Sequence, residues 1–341
     1  KANTDSSSQA DNFGHIIGEN NIQVYGLDIH NPVFMVSAAL SLILVLITLA
    51  FPEASGLFYI ELRSWVTTQF DFFFLISANI FIIFCCAIAL SPFGRIRLGG
   101  DEARPAYRYT SWLAMLFAAG VGIGLMFYGV HEPVTHTLNP PLNIDPNDIE
   151  RASAAGMSAA IYHWGLHAWA IYAVVGLALA YFTFNRAMPM TLRSAFFPLL
   201  GKAVWGPLGD IIDIVAVLAT VFGLATSLGI GSEQIAAGLS YLFDINATNG
   251  TKVLLIIAIV SIALVSVILG LDKGVKRLSE INLALAALLL LFVFFAGPTQ
   301  VILVNFGSIT MDYLYYLPAL SNWVGRTDDL FLHGWTTFYW A

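Results

Sequence analysis

The sequence predicts an all-α polytopic membrane protein, and three observations carry that prediction. Hydrophobic residues make up 58% of the 341-residue chain and charged residues only 11%, whereas soluble domains usually contain about 25% charged residues. Uncharged runs of about 20 residues recur along the chain, and a helix of that length crosses a bilayer. Lys and Arg are distributed unevenly among the polar loops between these runs, as in membrane proteins with a fixed orientation.

Seven uncharged runs are predicted to cross the membrane in full. Span three is interrupted by glycine, and span four is longer than a bilayer requires, so part of it is expected to tilt or project. An eighth run, residues 331–341, begins a further span and stops after about three turns, so we expect the sequence to be part of a longer protein. The seven predicted spans are residues 31–52, 72–94, 109–130, 152–184, 214–232, 253–271 and 281–304.

The orientation of the spans follows from the charges in the loops. Eleven of the 15 Lys and Arg residues lie at the N-terminus or in the loops after spans two, four and six, and the other four lie on the opposite side. Because cytoplasmic loops are enriched in Lys and Arg, the N-terminus is predicted to be cytoplasmic. The acidic loops after spans three and seven are then external.

Span three contains three alternate glycines, Gly120, Gly122 and Gly124. Each glycine costs about 1 kcal/mol of helix stability relative to alanine, and unpaired backbone persists in a bilayer only where protein or a water-filled cavity receives it. Small residues also allow helices to pack closely, but alternate positions lie about 200° apart around a helix and form no single packing stripe. The pattern therefore favours an unwound segment, which in transporters is where solutes and ions bind.

Two aromatic clusters accompany this break. Residues 161–172 contain two Trp, two Tyr and two His, and a second cluster lies between Trp335 and Trp340. Ordinary aromatic packing is one explanation. The other is a box of π faces for a quaternary ammonium group, where each desolvated cation–π contact is worth about 2 kcal/mol. Such a box needs no buried carboxylate, and we expect none at mid-depth in spans three to five. A carboxylate on the solute would meet free backbone N–H groups at the glycine break.

Other kinds of chemistry find little support. Cys85 and Cys86 are adjacent in an apolar run and predict packing rather than a disulfide framework or a metal motif. His163 and His167, one turn apart, have a spacing that can chelate a metal, but without a third ligand we expect hydrogen bonds to neighbouring spans. Glu132 either lines an external vestibule or is solvated. No catalytic set indicates an enzyme, no ring of charge indicates a channel, and no metal, cofactor or nucleic-acid partner is predicted.

Three motifs together resemble the betaine/carnitine/choline transporter family. They are Gly-Val-Gly-Ile-Gly-Leu-Met-Phe-Tyr-Gly at 120–129, His-Trp-Gly-Leu-His-Ala-Trp-Ala-Ile-Tyr at 163–172 and Gly-Trp-Thr-Thr-Phe-Tyr-Trp-Ala at 334–341. The resemblance covers residues 31–341. It implies a LeuT-like fold of twelve spans, with two extra N-terminal helices and a 5+5 inverted repeat whose second half is truncated in this chain. It also implies a homotrimer.

Composition and the resemblance together divide the chain into five parts. They are a polar cytoplasmic tail (1–30), two preliminary helices with a basic loop (31–106), the first five-helix repeat (107–305), an interfacial amphipathic helix with an external loop (306–330) and the start of span eight (331–341). The interfacial helix is predicted because residues 305–321 mix Asp312 with Tyr and Leu.

The resemblance assigns candidate site residues. Ala118 and Val121 match positions whose carbonyls bind sodium in sodium-coupled relatives, and Thr220 matches one threonine of a second ion site. Leu224 replaces the other threonine and offers no oxygen to a cation, which puts that second site in doubt. The family's principal box tryptophan would lie beyond Ala341. The candidate substrate-binding residues are Gly120, Gly122, Gly124, Met126, Trp164, Trp169, Tyr172, Trp335, Tyr339 and Trp340.

The function implied by the resemblance is import of a zwitterionic onium solute, such as glycine betaine or dimethylsulfoniopropionate, by sodium-coupled alternating access. Glycine at position 124, where choline carriers can have an acidic residue, favours a zwitterion over choline. A carnitine/betaine exchanger and a proton-coupled choline carrier are the alternatives. The expected location is the bacterial inner membrane, with lipid and the small solute as partners and sodium as the coupling ion.

Overall fold

A computed structural model describes residues 21–24, 26–120 and 122–340. The predicted tail up to residue 20, the candidate ion ligand Val121 and the terminal Ala341 lie outside the described residues. The first described residues form a β-hairpin in which strand β1, Asn21–Val24, pairs antiparallel with β2, Leu27–His30. Gly26 in the turn has φ +80°, a backbone conformation that glycine adopts without strain.

Helices account for most of the remaining described residues. Eleven of them have twelve residues or more: α1 (Asn31–Ala50), α2 (Pro52–Gln69), α3 (Asp71–Leu90), α4 (Tyr109–Gly120), α5 (Ile123–Leu138), α6 (Ile149–Trp164), α7 (Leu166–Ala180), α8 (Pro207–Phe243), α9 (Asn249–Ile268), α10 (Lys276–Ala296) and α11 (Thr299–Ser321). Shorter helical segments are Pro92–Arg95, Tyr181–Asn185, Leu192–Ala195, Phe197–Leu200, Gly201–Trp205, Leu271–Val275, Asp329–Phe331, Leu332–Thr336 and Thr337–Trp340.

Among the described helices, six are long and apolar enough to cross a membrane, and seven if the bent pair α4 and α5 counts as one span. They correspond in order to the seven predicted spans, so the prediction of an all-α polytopic membrane protein is confirmed at this level. The six are Pro32–Ala50, Asp71–Leu90, Ile149–Asn185, Pro207–Phe243, Asn249–Ile268 and Leu271–Ala296.

One predicted boundary is wrong because of a proline. Span seven was predicted to reach Val304, but α10 ends at Ala296. Pro298 lacks a backbone N–H, and the residue before a proline avoids the helical conformation, so the chain breaks there. Helix α11 then begins at Thr299 rather than at the predicted residue 305.

The chain divides into two compact units. Of the described residues, the first contains those in the ranges 21–103 and 167–223, together with residue 340. It contains a buried ion cluster centred on Arg193. The Arg193 Nε donates to Asp213 Oδ2 at 2.5 Å and Nη2 donates to Asp210 Oδ1 at 2.8 Å. These bonds tie the segment after α7 to the first turns of α8.

The second unit comprises residues 104–166 and 224–339. Helix α6 packs mainly against α5 and α11, and α4 packs against α10. The buried face of α6 is made of small residues, including Ala155, Gly156 and Ala159, which let neighbouring backbones approach closely. A Cβ at position 156 would lie 2.7 Å from the carbonyl carbon of His136 on α5. This contact sets the spacing of α5 and α6.

Candidate functional site

The glycine-rich part of span three is broken, as predicted. Helix α4 ends at Gly120, α5 begins at Ile123, and the two helix axes differ by 60°. Gly122 has extended backbone, with φ −96° and ψ −171°, at the N-terminus of α5. The first N–H groups of α5 therefore have no partner within the helix, and the last carbonyls of α4 are likewise left without one.

The first turn of α5 lies against the indole of Trp164 at the end of α6. A Cβ at position 124 would lie only 3.0 Å from the Trp164 ring atom Cη2, so the ring occupies the space that a side chain on residue 124 would need. One turn further along α5, Tyr128 stacks on the same indole, with ring centroids 5.9 Å apart and planes 27° apart. Trp164 thus covers the start of the broken helix.

Four rings, Tyr128, Trp164, Trp335 and Tyr339, form what is called here the aromatic cluster. Tyr128 contacts each of the other three, and the distances between neighbouring ring centroids run from 5.3 to 6.4 Å. Each of the four side chains is partly exposed. The structure therefore brings together Gly124, Trp164, Trp335 and Tyr339 from the predicted set and adds Tyr128, which was not among the predicted site residues.

Behind the aromatic cluster lies Glu132, with 0% of its surface exposed. The expectation that this carboxylate lines a vestibule or is solvated is wrong, and so is the premise that the box has no buried carboxylate. Helix α5 continues through Pro133 to Leu138, beyond the predicted end of span three, so Glu132 is an interior helical residue. Its Oε1 accepts a hydrogen bond from Trp164 Nε1 at 2.5 Å.

The second oxygen of Glu132 is shared by two buried histidines. Its Oε2 lies 2.6 Å from His163 Nδ1 and 3.2 Å from His136 Nε2. His163 Nε2 in turn lies 3.0 Å from the Thr336 hydroxyl. Both imidazoles pack on the ring of Phe331, at 5.6 and 5.0 Å. The carboxylate is therefore held by three nitrogen groups whose own positions are fixed.

Glu132, His136 and His163 also form a set with metal-ligand chemistry, their ligand atoms lying within 4.8 Å of one another. Two ligands each about 2.0 Å from a tetrahedral zinc ion lie about 3.3 Å apart. The 2.6 Å separation between His163 Nδ1 and Glu132 Oε2 is shorter than that and is the length of a charge-assisted hydrogen bond. The arrangement is that of a hydrogen-bonded carboxylate.

The position of Glu132 is encoded in the spacing of its neighbours in the sequence. Gly124, Tyr128, Glu132 and His136 follow one another at intervals of four, which places them on one face of a helix. Had the helix been extended past Val130, this spacing would have assigned the carboxylate to the face of the glycine break.

The other candidates in the second unit lie around the break. Gly120 and Ala118 are half-buried in the last turn of α4, Gly122 is exposed, and Met126 on α5 is 51% exposed. A cavity of about 740 Å³ in the same unit is lined by Asp145, Asp328, Phe331 and Trp335 among others. One of its lining residues, Trp335, is also a member of the aromatic cluster.

In the first unit, Trp169 and Tyr172 form a ring pair on α7 with centroids 5.8 Å apart. They are 43% and 65% exposed. Trp340 stacks on His167 at 5.1 Å, and His167 Nε2 lies 2.9 Å from Asn79 Oδ1. The expectation that His163 and His167 make hydrogen bonds is confirmed for both.

Thr220, the candidate ligand of the second ion site, is exposed on α8 in the first unit. Its hydroxyl donates to the carbonyl of Ala216 at 2.8 Å. The Thr220 hydroxyl oxygen can still accept a hydrogen bond or coordinate a cation. The Leu224 side chain, 59% exposed, has no oxygen that could do so.

Residues 32–341 match the sequence model of the BCCT, betaine/carnitine/choline family of transporters. The chain belongs to this family. The resemblance that the glycine, span-four and tryptophan motifs indicated is thereby confirmed, and the chain is not an enzyme but a member of a transporter family with several membrane-spanning helices.

Curated relatives in the family include three whose names state solutes. A glycine betaine/proline/choline transporter of Vibrio parahaemolyticus is 49% identical and the alignment covers 95% of this chain and 62% of the relative. Glycine betaine transporter 1 of the same organism is 45% identical, with 97% and 64% covered. A high-affinity choline transport protein of Escherichia coli is 42% identical, with 91% and 46% covered. The chain thus spans between about half and two thirds of the length of these relatives.

Proposed function

We propose that this BCCT-family chain recognises a zwitterionic onium solute, glycine betaine above all, within a transporter that imports it by alternating access. The single observation that carries this is the seating of the Trp164 ring on Gly124, at the N-terminus of a broken helix. It puts an aromatic face and free backbone N–H groups side by side. A betaine carries its cation and its carboxylate within a few bonds of each other, so one short solute engages both.

The aromatic cluster is the proposed cation subsite. Tyr128, Trp164, Trp335 and Tyr339 are half-buried rings in mutual contact. Aromatic faces attract a methylated cation through their quadrupoles, and each desolvated contact is worth about 2 kcal/mol. The mutual contacts of the rings imply that they separate when a trimethylammonium group enters between them.

The N-terminus of α5 is the proposed carboxylate subsite. Its first N–H groups have no partner within the helix, and the helix dipole adds positive potential there. Gly122 in extended conformation and Gly124 without a side chain leave the backbone accessible. Gly120 and Met126 flank this turn and belong to the same proposed subsite.

Trp169, Tyr172 and Trp340 are proposed as further aromatic residues that bind the solute, because they match the motifs of the family. Replacing Trp169 by Ala is expected to abolish saturable uptake, because it removes one of the two indoles of that group. Uptake with wild-type affinity in this variant would remove Trp169 from the site.

Sodium is the proposed coupling ion. The carbonyl of Ala118 is one of the last four of α4 and has no partner within that helix, which suits a hard cation that prefers oxygen ligands. Val121 is the second proposed carbonyl ligand. Thr220 is proposed as a ligand of the separate second ion site, which Leu224 weakens.

The larger assembly is also proposed from family membership. It has a LeuT-like 5+5 inverted repeat after two preliminary helices, a cytoplasmic N-terminus, a homotrimeric state and a place in the bacterial inner membrane, where its apolar helix faces contact lipid. Helix α11 is proposed to lie at the interface, as residues 305–321 predict.

Choline is the second candidate solute, because the Escherichia coli relative is named for it. The test is uptake of radiolabelled glycine betaine by the full-length gene product in proteoliposomes, with and without a sodium gradient. Accumulation only with sodium supports symport, and exchange without sodium supports an antiporter. Competition by choline, carnitine, proline betaine and dimethylsulfoniopropionate ranks the solutes. Failure of all of these to compete would overturn the assignment of the solute class.

A further inference from the structure

Glu132 is a fully buried carboxylate bonded to a ring of the aromatic cluster. Indole nitrogen is a donor only, so the contact between Trp164 Nε1 and Glu132 Oε1 at 2.5 Å is a hydrogen bond from Trp164 to Glu132 with one possible direction. The six-membered ring of the same indole lies against Gly124, and Tyr128 stacks on the indole face. Trp164 is therefore clamped between an acceptor at its N–H and the backbone of α5 at its far edge.

We propose that Glu132 is a positioning and charge-supplying residue for onium recognition, acting through Trp164; this inference rests on the proposed function. Glu132 fixes the plane of the indole, and its negative charge strengthens the attraction of that indole for a cation. The recognised group is a quaternary ammonium or sulfonium centre.

The charge of the buried group supports this role. If His163 donates from Nδ1 and His136 from Nε2, both rings are neutral and each uses its single N–H on Glu132. The Thr336 hydroxyl then donates to His163 Nε2. This assignment accounts for the hydrogen bonds that Glu132 receives from the two histidines and leaves the cluster one net negative charge, while the buried Nδ1 of His136 has no hydrogen-bond partner among the described residues. Arg326, the cation of the adjoining loop, is bound to Asp328.

An uncompensated buried carboxylate is unfavourable. A cation resting on the partly exposed side of the aromatic cluster would compensate it. A hydrogen bond from an indole N–H to a carboxylate also increases the electron density of the ring, and a cation–π contact is an attraction to that density. Charge and ring polarisation therefore act in the same direction, and both favour a cation over a neutral group of the same shape.

The test compares Glu132→Gln with wild type in the full-length gene product. Glutamine keeps an oxygen that can accept from Trp164 but removes the charge. Equilibrium binding is measured for radiolabelled glycine betaine, and competition is measured for 3,3-dimethylbutanoate, in which carbon replaces the cationic nitrogen. We expect the Kd for glycine betaine to rise roughly tenfold or more, because the hydrogen bond from Trp164 then goes to a neutral acceptor instead of a charged one. The Kd for 3,3-dimethylbutanoate, which keeps the carboxylate but lacks the cation, should change less than twofold.

Two controls separate this role from a loss of folding. Glu150→Gln removes an exposed carboxylate of the same unit and is expected to leave both affinities unchanged. Retained binding of 3,3-dimethylbutanoate by Glu132→Gln reports a folded site. An equal loss for both ligands, or no loss for either, would overturn the proposed role of the Glu132 charge.

A double-mutant cycle tests whether Glu132 acts through Trp164. Trp164→Phe keeps an aromatic face but has no N–H to donate. In that background we expect Glu132→Gln to change the Kd for glycine betaine by less than threefold, because the coupled pair is already broken. A full tenfold effect in the Trp164→Phe background would show that Glu132 acts independently of the indole. If the wild-type protein itself does not bind glycine betaine, the proposed function is wrong, whatever the role of Glu132.

Discussion

The ring of Trp164 occupies the space beside Gly124 so closely that a Cβ at residue 124 would lie 3.0 Å from its Cη2 atom. The two residues come from different predicted spans, and each was selected for a different reason. Their contact joins the glycine break to the aromatic cluster. Glycine at position 124 thus leaves the space that the Trp164 indole occupies.

Replacement of Gly124 by Ala should therefore weaken solute binding. The new methyl group must push the Trp164 ring aside, and such overpacking costs about 1–3 kcal/mol, which corresponds to a roughly 5- to 150-fold rise in the Kd for glycine betaine. Gly129→Ala on the same helix is the matched control, because a Cβ there meets no atom within 4 Å. Equal Kd values for the two variants, measured by equilibrium dialysis, would show that the contact with Trp164 does not matter.

The approach of α5 to α6 gives a second prediction, for stability. A Cβ at Gly156 would lie 2.7 Å from the backbone of His136 and Thr137, and backbone cannot move aside as a flexible side chain can. Gly156→Ala is expected to destabilise the folded protein by about 1–3 kcal/mol or more. This loss should appear as a lower thermal midpoint in detergent. Gly176→Ala, with open space around it, should be neutral or stabilising. A midpoint for Gly156→Ala as high as that of Gly176→Ala would contradict the close packing.

Arg193 gives a third prediction. Its guanidinium is buried against Asp213 and Asp210, so Arg193→Ala leaves two carboxylates without their partner and should cost about 3–5 kcal/mol. Lys252→Ala breaks a pair with Glu233 that is largely exposed, and such pairs are worth about 0–1 kcal/mol. Unfolding in denaturant, followed by tryptophan fluorescence, compares the two. Similar losses of unfolding free energy in both variants would mean that burial of the Arg193 ion pairs does not increase their contribution to stability.

Asp328 should make stability depend on pH. Burial opposes its ionisation, but hydrogen bonds from Arg326 and from the backbone N–H of Leu142 outweigh burial and hold the pKa of the carboxyl below its ordinary value. The folded protein then binds fewer protons than the unfolded chain, so the contribution of Asp328 is complete above its ordinary pKa and is lost as the pH falls through the lowered pKa.

Asp328→Asn should remove that contribution, so the thermal midpoint of the variant would fall less steeply than that of wild type as the pH is lowered below the ordinary pKa of an aspartate. Asp329→Asn, at the exposed neighbouring position, is the control. Parallel curves for wild type and Asp328→Asn would contradict the assignment.

The parts of the fold that the sequence predicted are those decided by local composition. Uncharged length located the membrane-spanning helices, and the cost of glycine inside a helix located the break between α4 and α5. The end of α10 was missed, although Pro298 carried the signal, because hydrophobicity alone continues to Val304. Composition also predicted that span three ends before Glu132, because a buried carboxylate is unfavourable unless it has partners. Those partners, on other helices, cannot be seen in the sequence of span three alone.

The contacts of the candidate site were less accessible, because they join residues far apart in the chain. The bond between His163 and Thr336 and the packing of Phe331 on two imidazoles depend on how the C-terminal segments meet α5 and α6. No periodicity in one segment encodes those distances. The four-residue spacing from Gly124 to His136 did encode a shared face, and it became informative once α5 was known to extend past Pro133.

The most direct measurement is equilibrium binding of radiolabelled glycine betaine to the purified full-length gene product and to its Trp164→Ala variant. Trp65→Ala, which removes an exposed indole of α2, serves as the control. Loss of a desolvated cation–π contact worth about 2 kcal/mol corresponds to a roughly 30-fold weaker Kd. We expect at least that loss for Trp164→Ala and a wild-type Kd for Trp65→Ala, whereas an unchanged Kd in Trp164→Ala would contradict recognition of the onium group by the aromatic cluster.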